Sequence, residues 1–330
     1  MDVVTDLAAV PPGQRSLAIG TFDGVHVGHQ HVIGTAIAVG REQGLRTAVL
    51  TFDRHPRALL AAQAPPRLLT PPAVKRELIA NLGADELIIL HFDERLAAMP
   101  AEEFCRDVLV GRLRARVVVV GENFTFGAGG RGGPASLRAC GEQLGFRTIV
   151  VPLVTQGGHP ISSSRVRRLL RAGHLAEVRE ILGRPPSTHG VVVHGDERGR
   201  TLGVPTANIA AEADSLFPGR GVYAARARVH DHWYRAAVNV GHNPTFRSRA
   251  DDTTTVRIEA FLIGFQGDLY GQAIKVDFLA KIRDERTFPS VDYLVARMRQ
   301  DIEFTATLDD PAYDAVGLGR SVRHGRSQQH

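Results

Sequence analysis

The sequence predicts two domains of different class: an α/β domain built on a parallel sheet, followed by a mainly antiparallel β-barrel with one closing helix. In the first half, continuous apolar runs alternate with segments of helical periodicity, which is typical of a parallel sheet covered on both faces. In the second half, short runs follow one another closely with turn residues between them, which favours an antiparallel barrel or sandwich. The proline pair Pro185-Pro186 separates the two patterns, and a length of 330 residues suits two domains.

The N-terminal domain is predicted over residues 1–184. Its strands are expected at 16–20, 47–52, 86–90, 117–121 and 148–153, and its helices at 29–43, 72–82, 101–113 and 164–182. Open sheets of this kind bind ligands beyond the carboxyl ends of their strands. We therefore expect the chemistry of this domain just after Ile19, Leu50, Val120 and Leu153.

The C-terminal domain is predicted over residues 185–308. Its strands are expected at 190–194, 222–229, 233–240, 254–263 and 273–279, and a helix at 291–304 closes it. Turn segments such as 241–244 and 264–268 separate the strands, and the absence of intervening helical patterns indicates direct strand-to-strand connections. The remaining residues, 309–330, carry glycines and a polar end and are predicted to form a flexible tail.

The composition excludes several classes of protein. Lysines plus arginines number 40 against 35 acidic residues, but they are spread along the chain without a dense cluster, so the net charge of +5 does not favour nucleic-acid binding. Only three lysines are present and none follows a glycine, which excludes a P-loop. No apolar run is long enough to span a membrane. Cys105 and Cys140 lack CxxC partners and are expected to be packing residues of a reduced, cytoplasmic protein.

The strongest pattern of the first half directly follows the first predicted strand and reads Gly20-Thr21-Phe22-Asp23-Gly24-Val25-His26-Val27-Gly28-His29. Glycine lets a nucleotide approach the backbone closely, and the N-terminus of the following helix offers amides to phosphate. His26 and His29 can donate to the same triphosphate and stabilise charge that develops during nucleotidyl transfer. The alternatives are ordinary turn and cap residues, or half of a metal site without a nearby third ligand. The strand–turn–helix context favours nucleotide binding.

A second candidate phosphate site opens the last helix of the first half, at Ser162-Ser163-Ser164-Arg165. Hydroxyls, amides and a guanidinium at a helix start suit phosphate, although an ordinary N-cap explains the same residues equally well. The run 127–132 matches the pattern GxGxxG, but residues 122–126 separate it from the strand. No acidic residue follows at the expected place about twenty positions later. We therefore interpret this run as a flexible loop and not as a dinucleotide fingerprint.

In the second half, residues 194–208 combine three glycines with charged residues and end in Pro205-Thr206-Ala207-Asn208. Such a loop can wrap a phosphate-bearing ligand, and the oxygens of Thr206 and Asn208 suit Mg²⁺, which prefers hard donors and keeps several waters. By composition alone, a β-turn followed by a strand is the simpler interpretation of those four residues. Glu259 stands alone among alternating apolar residues of a predicted strand, a pattern that also fits a solvent-facing glutamate.

These segments resemble the nucleotidylyltransferase superfamily with its HxGH signature and, more narrowly, the bacterial bifunctional riboflavin kinase/FAD synthetases. In the first half the resemblance rests on residues 21–30, 51–56, 67–70, 120–127 and 161–167. Where the last of these motifs has threonine and isoleucine in the family, this chain has Ser164 and Val166, which keep a hydroxyl and an apolar anchor. In the second half it rests on residues 194–208, 221–224, 239–246, 257–262, 268–271 and 279–288.

The resemblance implies a Rossmann-like nucleotidylyltransferase domain that converts FMN and ATP to FAD and pyrophosphate, and a barrel that phosphorylates riboflavin to FMN. It implies Glu259 as the general base toward the ribityl 5′-hydroxyl, His26 and His29 as catalytic groups of adenylyl transfer, and Mg²⁺ near Thr206 and Asn208. Residues implied to bind ATP or phosphate are Gly20, Phe22, Gly28, Asn123, Ser162, Ser163, Ser164, Arg167, Gly195, Arg200, Gly203 and Pro205. Residues implied to bind flavin are Pro56, Arg67, Asn243 and Thr245.

Three other interpretations stay open. Another HxGH transferase would act on a sugar-, lipid- or cofactor-phosphate, although the kinase-like second domain argues against it. A nucleic-acid binder related to class I aminoacyl-tRNA synthetases needs a lysine-rich second signature, which Lys75, Lys275 and Lys281 cannot form. One module could be inactive and serve regulation, although both halves carry intact motifs. We expect riboflavin, FMN, FAD and ATP as ligands, no nucleic acid and no membrane, and the oligomeric state stays open.

Overall fold

The computed structural model describes residues 1–54, 56, 65–195, 204–212, 214–242 and 256–316. The chain divides into two compact units, Met1–Val166 and Arg167–His330. Within the described residues, no helix is long and apolar enough to cross a membrane. The domain boundary expected after residue 184 stays a prediction.

The N-terminal unit is a six-stranded parallel sheet flanked by helices. Its strands are β1 Asp2–Val4, β2 Arg15–Ile19, β3 Arg46–Phe52, β4 Glu86–Leu90, β5 Ala115–Gly121 and β6 Arg147–Val151. Its helices are α1 Val27–Glu42, α2 Pro72–Asn81, α3 Glu94–Ala98, α4 Ala101–Glu103 with its π-helical continuation Phe104–Arg112, α5 Pro134–Leu144 and the start of α6 Ser163–Ala172. The 3-10 turns Leu7–Ala9 and Ala128–Gly130 and a small hairpin of β7 Thr155–Gln156 with β8 His159–Pro160 also belong to it. The parallel sheet confirms the predicted fold class of this half.

Apolar residues on both faces of the central strands form the core of this unit. Leu17 and Leu50 pack in one cluster with Leu109, on one face of the sheet. Ala18 and Val49 belong to a second cluster together with Ile33 of α1. Successive strand residues point to opposite faces, so a run that is apolar throughout is what a sheet covered on both sides requires.

The amino ends of the strands carry a buried ion pair. Arg15 is fully buried, and its Nε lies 2.6 Å from the Oε2 of Glu86, which is also fully buried. Arg46 brings a second guanidinium within 2.6 Å of the other carboxylate oxygen. Buried charges are tolerated when they are paired in this way. These groups tie β2, β3 and β4 together at the end of the sheet opposite to the predicted site.

The strand order β1-β4-β3-β2-β5-β6 places β2 between β3 on one side and β5 on the other. Loops leaving the carboxyl ends of β2 and β5 therefore diverge, and ligands of open α/β sheets bind in the crevice at such a switch point. Gly20 follows β2 and Asn123 follows β5. Two of the predicted nucleotide-binding positions thus stand at the switch point of the sheet.

The C-terminal unit contains a closed antiparallel barrel, which confirms the predicted class of the second half. Its strands are β9 Ser187–Val193, β10 Ala207–Ala211, β11 Gly221–Val229, β12 His232–His242, β13 Val256–Leu262 and β14 Ala273–Arg283, in the order β10-β13-β12-β11-β14-β9. Pairing of β9 with β10 closes the ring. The helices are the remainder of α6, α7 Leu175–Leu182, α8 Val291–Thr307 and α9 Pro311–Asp314.

Several elements differ from the prediction. The helix expected over 164–182 is two helices, because Gly173 has a φ of +80°, in the left-handed region that ends α6 before α7 begins. The short strand β1 is an addition to the predicted elements. The strand β10 begins at Ala207, which agrees with the simpler interpretation of Pro205-Thr206-Ala207-Asn208 as a turn followed by a strand. The helix expected over 101–113 forms, but most of it is π-helical.

The first residues of the expected tail are packed against the barrel. Tyr313 of α9 is fully buried, its hydroxyl donates to the Ala225 carbonyl at 3.0 Å, and the Arg235 guanidinium lies 3.8 Å from the centre of its ring. Asp310 accepts from Arg179 at 2.8 Å. Residues 310–313 of the expected tail are therefore packed, which corrects its predicted start at residue 309. Residues 317–330 lie outside the described part of the chain, so for them the tail stays a prediction. A single aromatic residue near a polar end gave no periodic signal from which this packing could be predicted.

Candidate functional site

The loop between β2 and α1 has an unusual backbone. Phe22, Gly24 and Val25 have φ values of 49°, 90° and 38°, all in the left-handed region. For a β-branched residue such as Val25, this conformation costs about 1–3 kcal/mol and persists only where the surroundings enforce it. Phe22 and Val25 are both buried in the core cluster of α1. A Cβ at Gly20 would lie 2.9 Å from the Phe22 ring, so this position requires glycine.

His26 and His29 form a stacked pair at the start of α1. The Nδ1 of His26 accepts the backbone N–H of His29 at 3.2 Å and so caps the helix. This nitrogen therefore carries no proton, and a neutral His26 ring holds its proton on Nε2, where it is a donor. The two ring centroids are 3.5 Å apart, and the Phe22 ring meets His29 edge-on at 5.3 Å. A Cβ at Gly28 would stand 3.3 Å from His26, so little space remains around the pair.

Asp23 organises the loop, although sequence reasoning gave it no role. Its buried Oδ1 accepts the backbone N–H groups of Leu69 and Thr70, each at 3.0 Å, and the Thr70 hydroxyl at 3.2 Å. The same hydroxyl accepts the Gly24 N–H at 2.9 Å. The carbonyl of Asp23 accepts the Ser163 hydroxyl at 2.8 Å. This one residue thus joins residues 20–29, which we call the histidine loop, to two segments that are distant in sequence.

The start of α6 stands beside this loop through that contact of Ser163. The Ser162 hydroxyl accepts the Arg165 N–H at 3.2 Å, which makes Ser162 the N-cap of the helix. Arg165 donates to the carbonyls of Gln156 and His159, at 3.1 Å each. The N-cap interpretation therefore holds for Ser162, while Ser164 at the same helix end is exposed. Two helix N-termini, those of α1 and α6, are tied together at this site, and both offer backbone amides to an anion.

A half-buried lysine, Lys75, lies beneath the loop, and the sequence patterns indicated no role for it at this site. The Lys75 ammonium of α2 donates to the Thr21 carbonyl at 3.3 Å. Burial lowers the pKa of Lys75, and the carboxylates of Asp23 and Asp53 oppose that shift. Asp53 follows β3 and stands 2.5 Å from His91; burial alone would raise the pKa of Asp53, but hydrogen bonds from Phe92 and His91 lower it.

The other predicted residues of this unit lie at the same carboxyl edge of the sheet or near the two helix starts. Asn123 is exposed just after β5, and its side-chain oxygen would lie 3.5 Å from a Cβ at Gly121. Pro56 and Arg67 flank residues outside the described part of the chain and are themselves partly buried. Arg167 is buried in α6, in the stretch that clusters with the C-terminal unit.

Three polar residues share one row across neighbouring strands of the barrel. The register places Asn208 of β10 opposite Glu259 of β13, and Asn239 of β12 opposite Glu259 on its other side. The flanking residues Ile258 and Ala260 are buried, so the row lies on the other face of the strand. Glu259 is therefore neither a core residue nor freely solvated: about a quarter of its side chain is exposed.

Arg257 connects the members of this row. Its Nη2 lies 2.9 Å from Oε1 of Glu259, and its Nε donates to the amide oxygen of Asn208 at 3.2 Å. A Cβ at Gly195 would approach the Asn208 side chain to 2.1 Å, so only glycine fits there. Glu285 stands close by, with Oε1 2.6 Å from the Cβ position of Gly241. The alternating pattern around Glu259 showed the strand but not these partners, which come from other strands.

The described residues provide hard oxygen donors but no cluster of charged metal ligands. No group of three or more His, Cys, Asp or Glu side chains among them could hold a metal ion. The Thr206 hydroxyl and the Asn208 amide oxygen are neutral donors, and the Asn208 oxygen already has a cationic partner in Arg257. This donor set fits Mg²⁺, which takes few protein ligands and completes its shell with water and phosphate. Arg200, Gly203, Asn243 and Thr245 lie outside the described residues.

Two family models match the chain, one in each half. The FAD synthetase model matches residues 11–165, and the riboflavin kinase model matches residues 182–308. The first model includes the histidine loop and Ser163, and the second includes Asn208, Arg257 and Glu259.

Curated relatives match nearly the whole chain. The bifunctional riboflavin kinase/FMN adenylyltransferase of Listeria monocytogenes is 36% identical over 90% of this chain and 94% of the relative. The enzyme of the same name from Escherichia coli K12 is 36% identical over 92% of this chain and 95% of the relative. A crystal structure described as a macrolide-efflux protein from Streptococcus pneumoniae is 30% identical, with a TM-score of 0.83 over 93% of this chain and 99% of that one.

Proposed function

Since the chain belongs to the family of bifunctional riboflavin kinase/FMN adenylyltransferases, we propose which of its residues carry out the two steps. The enzyme phosphorylates riboflavin with ATP to FMN, and it adenylylates FMN with a second ATP to FAD, with release of pyrophosphate. We assign adenylylation to the loop of His26 and His29 and phosphorylation to the row of Glu259. The observation that carries this assignment is the presence of two separate polar constellations, each inside the part matched by one family model.

In the adenylyl transfer, a phosphate oxygen of FMN attacks the α-phosphorus of ATP, and the bond to pyrophosphate breaks. Negative charge develops on the phosphoryl oxygens, so the enzyme accelerates the step by placing fixed donors around them. The Nε2–H of His26, the His29 ring and the amides at the start of α1 supply such donors. No covalent enzyme intermediate is required, since both nucleophile and leaving group belong to the substrates.

The remaining residues of this site bind and orient the substrates. Gly20 and Gly28 give close access to the backbone, and Phe22 buttresses His29. Ser163, Ser164 and Arg167 bind the triphosphate from the start of α6, with Ser162 as the cap that fixes this helix end. Asn123 binds ATP from the loop after β5, and Pro56 and Arg67 bind the flavin.

In the kinase step, the carboxylate of Glu259 takes the proton from the 5′-hydroxyl of riboflavin, whose oxygen then attacks the γ-phosphorus of ATP. ADP leaves. The step is accelerated mainly by the positioning of the substrates and by cations that neutralise the charge on the phosphates. Thr206 and Asn208 would hold Mg²⁺, which would neutralise charge on the ATP phosphates. Gly195, Pro205, Arg200 and Gly203 form the ATP-binding segment before β10, and Asn243 and Thr245 bind the flavin.

We propose a cytoplasmic enzyme whose ligands are riboflavin, FMN, FAD and ATP, with no nucleic-acid partner. The dispersed basic residues and the two free, buried cysteines support this. Burial raises the pKa of the Cys105 thiol, as expected for a packing residue and not for a reactive one.

The test is an HPLC time course of flavins with ATP and Mg²⁺, in which the wild-type chain is compared with Glu259→Gln and His29→Ala. Wild type should accumulate FMN and then FAD. Glu259→Gln should lose about 10²–10⁴-fold in riboflavin phosphorylation yet convert supplied FMN to FAD at the normal rate. His29→Ala should stop at FMN.

The exposed His31 of the same helix provides a matched control, since His31→Ala removes an imidazole without touching the loop. Both activities should persist in that variant. Loss of FMN adenylylation in Glu259→Gln, or normal FAD production by His29→Ala, would contradict the assignment of residues to steps.

A further inference from the structure

One side chain beside the row of Asn208, Glu259 and Asn239 has no role in the two proposed reactions. Arg257 donates to the Asn208 amide oxygen at 3.2 Å and pairs with the Glu259 carboxylate at 2.9 Å. A single guanidinium thus bridges the proposed base and a proposed ligand of Mg²⁺. Its side chain is about one quarter exposed, so it can swing toward solvent without opening the barrel core.

The Asn208 oxygen cannot serve both cations equally well. A guanidinium and a divalent metal on one amide oxygen would stand only a few ångströms apart, and like charges at that distance repel each other. Asn208 itself has little room to turn away, because a Cβ at Gly195 would already come within 2.1 Å of its side chain. Arg257 is the more mobile partner, with four side-chain torsions and an exposed edge.

We propose that Arg257 is a positioning residue that competes with Mg²⁺ for the amide oxygen of Asn208. Binding of the metal with its nucleotide displaces the guanidinium, and this displacement also weakens the ion pair with Glu259. The carboxylate then becomes available as an acceptor for the substrate hydroxyl. Arg257 in this way couples the arrival of Mg²⁺·ATP to the release of the base. The inference rests on the roles proposed for Asn208 and Glu259.

The competition predicts a change in Mg²⁺ affinity that general damage to the site would not produce. Removal of the guanidinium should strengthen the binding of Mg²⁺, whereas a purely structural role of Arg257 would weaken it or leave it unchanged. By thermodynamic linkage, the contact of Arg257 with Asn208 weakens Mg²⁺ binding by the same factor by which bound Mg²⁺ weakens that contact. We expect the Mg²⁺ concentration for half-saturation to fall by at least about fivefold in Arg257→Met, the lower end of typical coupling.

The experiment uses the full chain and titrates Mg²⁺ calorimetrically at a fixed ADP concentration, in wild type, Arg257→Met and Arg257→Lys. Arg257→Lys keeps the charge but cannot span both partners, and should lie between the other two chains. Arg228→Met is the control, because it removes a charge at the opposite end of the barrel. In the strand register, Arg228 lies opposite Trp233 near the start of β12, whereas Arg257 lies opposite Gly241 near the end of β12. That control should bind like wild type, and the Mg²⁺ dependence of FMN adenylylation should stay constant in every variant.

A second readout is the Mg²⁺ concentration that gives half-maximal riboflavin phosphorylation at fixed ATP. Tighter Mg²⁺ binding in Arg257→Met with an intermediate Arg257→Lys supports the competition. Weaker or unchanged Mg²⁺ binding in Arg257→Met overturns it and leaves the proposed function intact. If Asn208→Ala has the same Mg²⁺ dependence as wild type, the metal role of Asn208 fails and the inference fails with it.

Discussion

In the N-terminal unit the two histidines proposed as catalytic follow a buried loop that is held by its own strained backbone, by Asp23 and by Lys75 beneath it. In the C-terminal unit Asn208 and Glu259 stand on regular neighbouring strands, and a partly exposed arginine bridges them. The first site is thus shaped by tertiary hydrogen bonds, and the second by the register of the sheet. Damage to one loop contact should therefore spread through the first site, while damage to the second should stay local.

The largest expected effect comes from the centre of the loop. Asp23→Ala removes the acceptor of two backbone N–H groups and of the Thr70 hydroxyl, and it leaves these donors buried. FMN adenylylation should fall by about 100-fold or more, because small displacements of catalytic groups cost that much. Initial rates with supplied FMN measure this effect. Riboflavin phosphorylation in the same sample should keep its wild-type rate.

Asp107→Ala is the matched control for that variant. Asp107 is exposed and pairs with the neighbouring Arg106 in the same unit. Its removal should change neither activity, since exposed pairs contribute little. Equal losses in Asp23→Ala and Asp107→Ala would argue against a special role of the loop.

A smaller and more local effect is expected in the barrel. Gly195→Ala places a Cβ 2.1 Å from the amide nitrogen of Asn208, so the two segments must move apart and the contact between Asn208 and Arg257 is disturbed. Riboflavin phosphorylation should fall by about tenfold or more, while FAD formation from FMN stays normal. Thermal unfolding should shift little, because the affected groups lie outside the barrel core. A global loss of stability would mean that this site is no more local than the histidine loop.

The packed residues beyond α8 allow a test of stability without any effect on chemistry. Tyr313→Phe removes a buried hydroxyl that donates to Ala225, and should cost the C-terminal unit about 1 kcal/mol of unfolding free energy. Burial raises the pKa of Tyr313 to about 12, whereas an unfolded tyrosine titrates near 10.

The sign of the pH effect follows from that difference. Since the folded pKa is the higher one, the unfolded chain loses its phenol proton first, and stability falls as pH rises from about 10 toward 12. Chemical unfolding at several pH values should show a weaker decline in Tyr313→Phe than in wild type. An identical decline in both chains would place the titration on other groups.

The smallest expected effect is a gain in the stability of the N-terminal unit. Gly34 lies inside α1, and a Cβ there would meet nothing within 4 Å. Gly34→Ala should stabilise the N-terminal unit by up to about 1 kcal/mol through helix propensity, with both activities unchanged. Unfolding in urea measures the gain. Reduced adenylylation would show that the histidine pair depends on the flexibility of this helix.

The sequence was sufficient for features whose physical cause is local. Alternation of apolar runs with helices predicted the parallel sheet, close turn spacing predicted the barrel, and the strand–glycine–histidine order predicted where α1 begins. Glu259 could be placed on a strand for the same reason, since apolar residues alternate around it in the sequence.

Features with distant causes could not be predicted in this way. Asp23 acquires its partners from Thr70 and Ser163, which are 47 and 140 residues away in sequence. Arg257 contacts Asn208 only because the register of β13 and β10 brings two segments 49 residues apart side by side. The break between α6 and α7 depends on one glycine, and the packing of Tyr313 depends on a single ring, so neither produced a periodic pattern.

The left-handed backbone at Phe22, Gly24 and Val25 has a consequence for how the N-terminal site meets its ligand. A loop buried in this conformation has already lost its conformational entropy during folding, so little ordering is left for the moment of binding. Amide hydrogen exchange over residues 22–26 should be slow in the free enzyme and should change little when ATP is added. On the proposed assignment, nucleotide recognition there would be the docking of a mobile molecule onto a surface that is already rigid.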